Sequence, residues 1–160
     1  LHLRHSRHPP SPPWRPPSIP AIAATLHLCR GNQQGRWLAE GGYDAIARQI
    51  FAGTHATRLL LEYDDRRSGD FAPLAQVPED KWVVLGLIST KHPELEDQDM
   101  LCRRIEAAAR YVGLDRLAIS PQCGFSPSVL PGGLSQTDQA AKLDLLVSTA
   151  RKMWGYTKDQ

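Results

Sequence analysis

Four short runs of apolar residues recur along the chain, and amphipathic or turn-rich segments separate them. Continuous apolar runs of this length are typical of buried parallel strands, whereas apolar positions three and four residues apart are typical of helices that cover a sheet. The pattern predicts strands at 21–29, 57–62, 82–88 and 114–120. It predicts helices at 36–53, 97–112 and 135–154, with a further short helix near 71–75.

This alternation of strand and helix implies parallel strands joined by crossover helices. A whole (β/α)₈ barrel takes about 250 residues, so we expect residues 21–160 to form one domain that supplies about half of such a barrel. No glycine-rich dinucleotide fingerprint and no phosphate-binding P-loop follows a strand. The sequence therefore gives no support to a nucleotide site.

The first 20 residues differ in composition, because they hold seven of the thirteen prolines and no acidic residue. Proline at this density disfavours helices and central strands and favours extended polyproline conformation. We therefore expect a disordered, proline-rich arm at 1–20. A basic docking arm, a proline-motif ligand and a transit peptide remain alternatives. The chain opens on Leu1 instead of Met, so we expect a fragment, a processed product or an incomplete gene model.

The composition gives no support to a nucleic-acid partner or to a membrane-spanning segment. The chain has 160 residues, 22% of them charged, and a formal net charge of +2, which is too small to argue for nucleic acid. No apolar run approaches the ~18 residues of a membrane helix. Three cysteines without disulfide-framework spacing fit a reducing, cytoplasmic compartment, where they are expected to be thiols or metal ligands.

Residues of the types that bind metals lie at or just after the ends of three predicted strands. His27 and Cys29 lie two apart on the first strand, so their side chains point to the same face. Glu62 closes the second strand and Cys123 follows the fourth. The carboxyl ends of parallel barrel strands share one edge, and these four residues there would make a zinc site. The alternatives are a buried strand end, with a satisfied His27 and an inert Cys29 thiol, and a Glu62 carboxylate paired with Arg58 or Arg66.

Four separated stretches, in order, resemble one known family. They are LHLCRGN at 26–32, LEYDD at 61–65 with GDF at 69–71, GLISTK at 86–91, and SPQCGF at 120–125. From about residue 26 to 154 the chain resembles the C-terminal catalytic barrel of cobalamin-independent methionine synthase and its shorter, archaeal-type relatives. This resemblance implies a partial TIM barrel that comprises roughly the last four βα units.

The resemblance also implies a zinc enzyme. In that family such residues hold a catalytic zinc ion, and the matching positions here are His27, Cys29, Glu62 and Cys123. The family transfers a methyl group from a methyltetrahydrofolate to the thiol of homocysteine, giving methionine. The implied partners are therefore these small molecules, with no nucleic acid and no membrane, and the oligomeric state stays open.

Lys91 is the main departure from the larger members of the family. Their proposed proton donor is a histidine, and a gapless alignment places Lys91 in that position, with His92 beside it. Lys91 could bind a carboxylate or help to protonate the folate nitrogen, although an ordinary lysine pKa of about 10.4 suits an acid at neutral pH poorly. Two alternatives stay open, namely a related zinc-thiolate alkyltransferase with another thiol or donor and an inactive truncated remnant.

Overall fold

The computed structural model describes residues 24–126 and 133–155. The strands in these ranges are Thr25–Leu28 (β1), Arg58–Glu62 (β2), Trp82–Ile88 (β3) and Leu117–Pro121 (β4). The α-helices are Ala47–Gly53 (α1), Gln98–Ala108 (α2) and Gln136–Trp154 (α3). Three short 3₁₀ helices accompany them, at Arg66–Ser68, Ala72–Gln76 and Leu114–Arg116.

Within the described residues, the strands form one parallel sheet in the order β1-β2-β3-β4. The predicted α/β class and the parallel sheet are confirmed, and the arrangement is consistent with part of a TIM-type barrel. The arm predicted at 1–20 lies outside the described residues. No helix in the described ranges has the length and apolar character needed to cross a membrane.

Alternation along the strands gives the sheet two different faces. On β2 and β3, the side chains of Leu59, Leu61, Val83 and Leu85 are at most 1% exposed. They belong to the hydrophobic core, which also includes apolar residues of α1 and α2. We call this the covered face. The intervening residues form the open face, where side chains such as Val84 keep part of their surface in water.

The predicted helix at 36–53 is wrong in its first half, because the structure has a helix only from Ala47 to Gly53. The segment before it is a loop with a positive φ of 79° at Gly35 and 123° at Gly41, which glycine tolerates. A Cβ on Gly35 would meet the Lys91 carbonyl oxygen at 2.7 Å. This loop is therefore folded closely over the end of β3.

The other boundaries shift by a few residues. Strand β4 begins at Leu117 and not at residue 114, because Leu114–Arg116 forms a 3₁₀ helix. Helix α2 covers Gln98–Ala108 within the predicted 97–112. The short helix expected near 71–75 is present as a 3₁₀ helix. Strand β1 is shorter than predicted, and residues 21–23 of that prediction lie outside the described part of the chain.

Candidate metal centre

The carboxyl ends of β1 and β4 bring two cysteines and a histidine together. His27 lies on β1, Cys29 follows that strand directly, and Cys123 lies two residues after β4. The Nε2 atom of His27 is 3.6 Å from the Sγ atom of Cys123. One ligand atom from each of the three residues lies within 4.8 Å of the other two. The structure thus brings together three of the four residues that the sequence predicted as metal ligands.

This donor set fits the size of a zinc ion. Tetrahedral zinc with Zn–S of about 2.3 Å and Zn–N of about 2.0–2.1 Å places a sulfur and a nitrogen ligand about 3.6 Å apart. The distance between His27 Nε2 and Cys123 Sγ is 3.6 Å. Thiolate and imidazole are also the ligand types that zinc takes in proteins. The three residues therefore suit zinc in their chemistry, and His27 and Cys123 also suit it in their spacing.

A cavity of about 490 Å³ opens beside the three ligand atoms. Residues at or near the carboxyl ends of all four strands line this cavity. They include His27, Cys29, Leu60, Leu61, Gly86, Ser120 and Cys123. His27 and Cys29 are exposed on this side. A small molecule in the cavity would therefore lie against the candidate metal ligands.

The protonation of Cys123 shows why a cation suits the site. The pKa of the Cys123 thiol is raised to about 12, first by burial and then by the neighbouring Cys29 and Glu62, while Lys91 acts in the opposite direction. Two thiolates beside a carboxylate repel one another, so the charged form is disfavoured. A divalent cation removes this repulsion and deprotonates a coordinating thiol.

Glu62 lies at the end of β2 and is fully buried. Its Oε1 accepts a hydrogen bond from Lys91 Nζ at 2.9 Å, and its Oε2 accepts one from the backbone N–H of Arg30. Arg67 approaches Oε1 at 3.9 Å. Glu62 is not part of the compact group of His27 and the two cysteines, so its assignment as a fourth ligand stays a prediction.

Lys91 lies between two buried carboxylates. Its Nζ is 2.9 Å from Glu62 Oε1 and 2.8 Å from Asp64 Oδ2, and neither carboxylate side chain is exposed. Sequence reasoning missed Asp64, although alternation along the chain places it on the same side as Glu62. Lys91 therefore balances the charge of two buried carboxylates at the strand ends.

Arg30 closes the end of β1 over this ionic group. Its guanidinium lies 4.4 Å from the ring centroid of Tyr43, and its Nη1 donates to the Tyr43 hydroxyl at 3.0 Å. Its Nε donates to the Gly41 carbonyl at 2.8 Å. These contacts hold the loop after β1 in place. Arg30 and Tyr43 were not identified from the sequence as part of the site, because most of their partners are distant in sequence.

Comparison with known proteins places the chain beside two relatives from Bacillus subtilis (strain 168). It is 50% identical to the uncharacterized protein YxjG over 134 residues, which cover 83% of this chain and 35% of YxjG. It is 46% identical to the uncharacterized protein YxjH over 134 residues, which cover 83% of this chain and 36% of YxjH. The chain thus spans about a third of the length of the curated relatives it matches. No protein-family model matches it.

Two solved structures share the fold. One is a proposed vitamin B12-independent methionine synthase from Listeria monocytogenes, with 31% identity and a TM-score of 0.65, covering 87% of this chain and 37% of that protein. The other is a B12-independent methionine synthase from Shewanella sp. W3-18-1 in complex with selenomethionine, with 19% identity and a TM-score of 0.67. It covers 82% of this chain and 38% of that protein, and at this identity it shows the fold alone. The structural neighbours of this chain are thus proteins of the B12-independent methionine synthase type.

Proposed function

We propose that this chain carries the metal-binding half of an active site of the cobalamin-independent methionine synthase type. In this proposal a methyl group passes from a methyltetrahydrofolate-type donor to the thiol of homocysteine, giving methionine. The observation that carries it is the convergence of His27, Cys29 and Cys123 at the strand ends. The 31% identity to the Listeria protein supports the same reaction class.

The proposed division of labour follows from the geometry. His27, Cys29 and Cys123 would hold a zinc ion, which, when bound, supplies a Lewis acid that keeps a substrate thiol deprotonated at neutral pH. The cavity beside these residues orients the substrate thiol towards them. Glu62, on the neighbouring strand β2, is the proposed fourth ligand, and it would be the exchangeable one, because a catalytic zinc site keeps one position open to substrate.

Lys91 acts in this proposal as a positioning residue for Glu62. Its Nζ contacts both Glu62 and Asp64, so its charge balances two buried carboxylates at the strand ends. The bond from Lys91 would keep the Glu62 carboxylate oriented whether or not Glu62 is bound to the metal. The alternative role, protonation of the folate nitrogen, would require the Lys91 ammonium group to leave its contacts with Glu62 and Asp64.

The test is a methyl-transfer assay on the zinc-loaded chain and, in parallel, on full-length YxjG. Homocysteine, cysteine and glutathione serve as acceptors and methyltetrahydrofolates with one or three glutamates serve as donors, with products measured by mass spectrometry. We expect methionine from homocysteine in YxjG, and its loss when the cysteine matching Cys29 becomes Ala. In this chain, Cys102→Ala, in the core of α2, should retain the methyl transfer that the wild-type chain shows.

Other outcomes distinguish the alternatives. Methylation of another thiol in preference to homocysteine would replace the proposed substrate with that thiol and retain the reaction class. Activity in YxjG but not in this chain would contradict competence of the chain alone. Absence of methyl transfer from every donor in both proteins would contradict the proposed function.

A further inference from the structure

A line of polar side chains runs across the strand ends beside Cys123, and the two members nearest the sulfur, Thr90 and Gln122, are buried. Asn32 Nδ2 donates to Thr90 Oγ1 at 3.0 Å, and Thr90 Oγ1 donates to Gln122 Oε1 at 3.1 Å. Gln122 Nε2 then donates to Cys123 Sγ at 2.9 Å. The line begins in the loop after β1, crosses the end of β3 and ends after β4. Three strand ends are thus linked through one set of hydrogen bonds.

The side chains of Thr90 and Gln122 are buried, so water does not compete for their hydrogen bonds. Thr90 is 3% exposed and Gln122 is 1% exposed. A buried amide or hydroxyl needs a partner for each polar atom, or it costs free energy. Thr90 and Gln122 therefore have a structural reason to bond to each other, and Cys123 is the acceptor that remains for the Gln122 amide.

The direction of the hydrogen bonds is fixed from the Asn32 end. The Oδ1 atom of Asn32 accepts from the backbone N–H of Gly35 at 3.1 Å, so its Nδ2 must face Thr90. The Thr90 hydroxyl then accepts a hydrogen bond from Asn32 and donates its own O–H to Gln122 Oε1. Consequently the NH₂ group of Gln122 faces the sulfur. A flipped Gln122 amide would leave the Thr90 proton without its acceptor and would put a carbonyl oxygen against the sulfur.

The backbone around Gln122 is also fixed. Its N–H donates to the Ile88 carbonyl at 2.7 Å, beyond an irregularity in the pairing of β3 with β4 at Gly86 and Ile88. A Cβ on Gly86 would lie 3.0 Å from Gln122 Cα. Close packing of the two strands at this point holds Gln122 in one position, so its amide can act as a fixed donor.

We propose that Gln122 is a positioning residue, held by Thr90 and Asn32, that orients Cys123 Sγ and draws electron density from it when a metal ion is bound. The inference rests on the proposed metal centre and goes beyond it. Hydrogen bonds to an anionic sulfur are stronger than those to a neutral one, and they reduce the charge that the sulfur gives to the metal. Partners of this kind both orient a ligand and tune the metal.

The test compares two substitutions at Thr90, which does not contact the sulfur. Thr90→Val keeps the shape of the side chain and removes the hydroxyl, so Gln122 loses the partner that orients it. Thr90→Ser keeps the hydroxyl and is the matched control. Each full chain is titrated with Zn²⁺ against a chromophoric chelator, and with Co²⁺ while the sulfur-to-cobalt charge-transfer band is recorded.

We expect Thr90→Val to weaken zinc affinity about 10–100-fold, the usual effect of losing such an outer partner, because the sulfur is no longer held in position and its anionic form loses a hydrogen bond. The charge-transfer band should move to longer wavelength, because an electron-richer sulfur gives up an electron more easily. Thr90→Ser should keep the wild-type affinity and band. Circular dichroism before titration checks that each variant is folded.

A second variant, Gln122→Met, keeps the test decisive if Thr90→Val does not fold. It removes the donor itself and should reproduce the band shift and the weaker affinity. Combined with Thr90→Val it should add little, because Thr90 acts through Gln122. Wild-type affinity and an unmoved band in Gln122→Met would overturn the proposal, as would effects of the two substitutions that simply add.

The result separates this inference from the proposed function. A metal-binding chain with the expected band shifts but no methyl transfer in the assay above would keep the hydrogen-bonded line and contradict the function. Normal methyl transfer together with an unmoved charge-transfer band in both variants would support the proposed function and contradict the role of Gln122. A wild-type chain that takes up neither Zn²⁺ nor Co²⁺ would overturn both.

Discussion

Leu85 and Val84 are neighbours on β3, yet they lie on faces of the sheet with different roles. Leu85 is fully buried in the core under the helices, whereas Val84 on the open face keeps part of its surface in water. The same contrast holds between Leu61 and Leu60 on β2. On the open face, at the carboxyl ends of the strands, lie the candidate metal ligands and the buried ionic group around Lys91.

The two faces differ in role, because the covered face stabilises the fold and the open face carries the candidate ligands. The covered face removes apolar surface from water and holds the fold together. Most of the open face contributes less to stability, so His27 and Cys29 can remain exposed with ligand atoms available. The exception is the group of Glu62, Asp64 and Lys91, where charges are buried and must compensate one another. Substitutions on the two faces should therefore have effects that differ in kind.

The largest loss of stability is expected from Lys91→Met. It leaves the buried carboxylates of Glu62 and Asp64 without their shared ammonium group, and removal of one partner of a buried pair costs about 3–5 kcal/mol. Urea unfolding followed by circular dichroism measures the change. The matched control is Lys152→Met, which removes a cation from an exposed pair with Asp99. Water screens an exposed pair, so Lys152→Met should change the free energy of unfolding far less, and equal effects of the two substitutions would contradict the importance of burial.

A truncation on each face of β3 gives the next largest effect. Leu85→Ala should lower the free energy of unfolding by about 2–5 kcal/mol, because it leaves a cavity in the core. Val84→Ala should lower it by about 1 kcal/mol or less, since part of that side chain is already in water. Both are measured in the same urea series. A larger loss for Val84→Ala would mean that the open face is covered in solution.

How far the sequence predicts this molecule depends on the range of the interactions. The strands follow from local apolar runs, and alternation together with parallel pairing brings His27 and Cys29 to the same edge as Cys123. The helix predicted at 36–53 failed because apolar periodicity from Tyr43 onward was extended back through Gly41, where a positive φ ends regular structure.

The partners of the site were harder to predict. Lys91 was recognised as important, but its bonds to Glu62 and Asp64 join residues 27 to 29 positions apart. The line from Asn32 through Thr90 to Gln122 likewise joins three separate loops. Such contacts depend on how the strand ends are packed in three dimensions. No local pattern of residue types reports that packing.

The smallest effect on stability is expected from Cys29→Ala. Cys29 is exposed, so its thiol contributes little to the core, and the free energy of unfolding should change by less than about 0.5 kcal/mol in the metal-free chain. Metal binding should nevertheless be lost. Thermal unfolding with and without Zn²⁺ measures both properties, because a ligand that binds the native state raises the midpoint. A midpoint that still rises with zinc in this variant would contradict the assigned ligands.

The central claim is that His27, Cys29 and Cys123 form a metal centre. Its most direct test is elemental analysis of the purified chain after gel filtration, with Cys29→Ala beside it and Cys102→Ala, in the buried core, as the control. We expect a single zinc ion per chain in the wild type and in Cys102→Ala, and none in Cys29→Ala. A folded wild-type chain without zinc, or a Cys29→Ala chain that retains it, would contradict the claim.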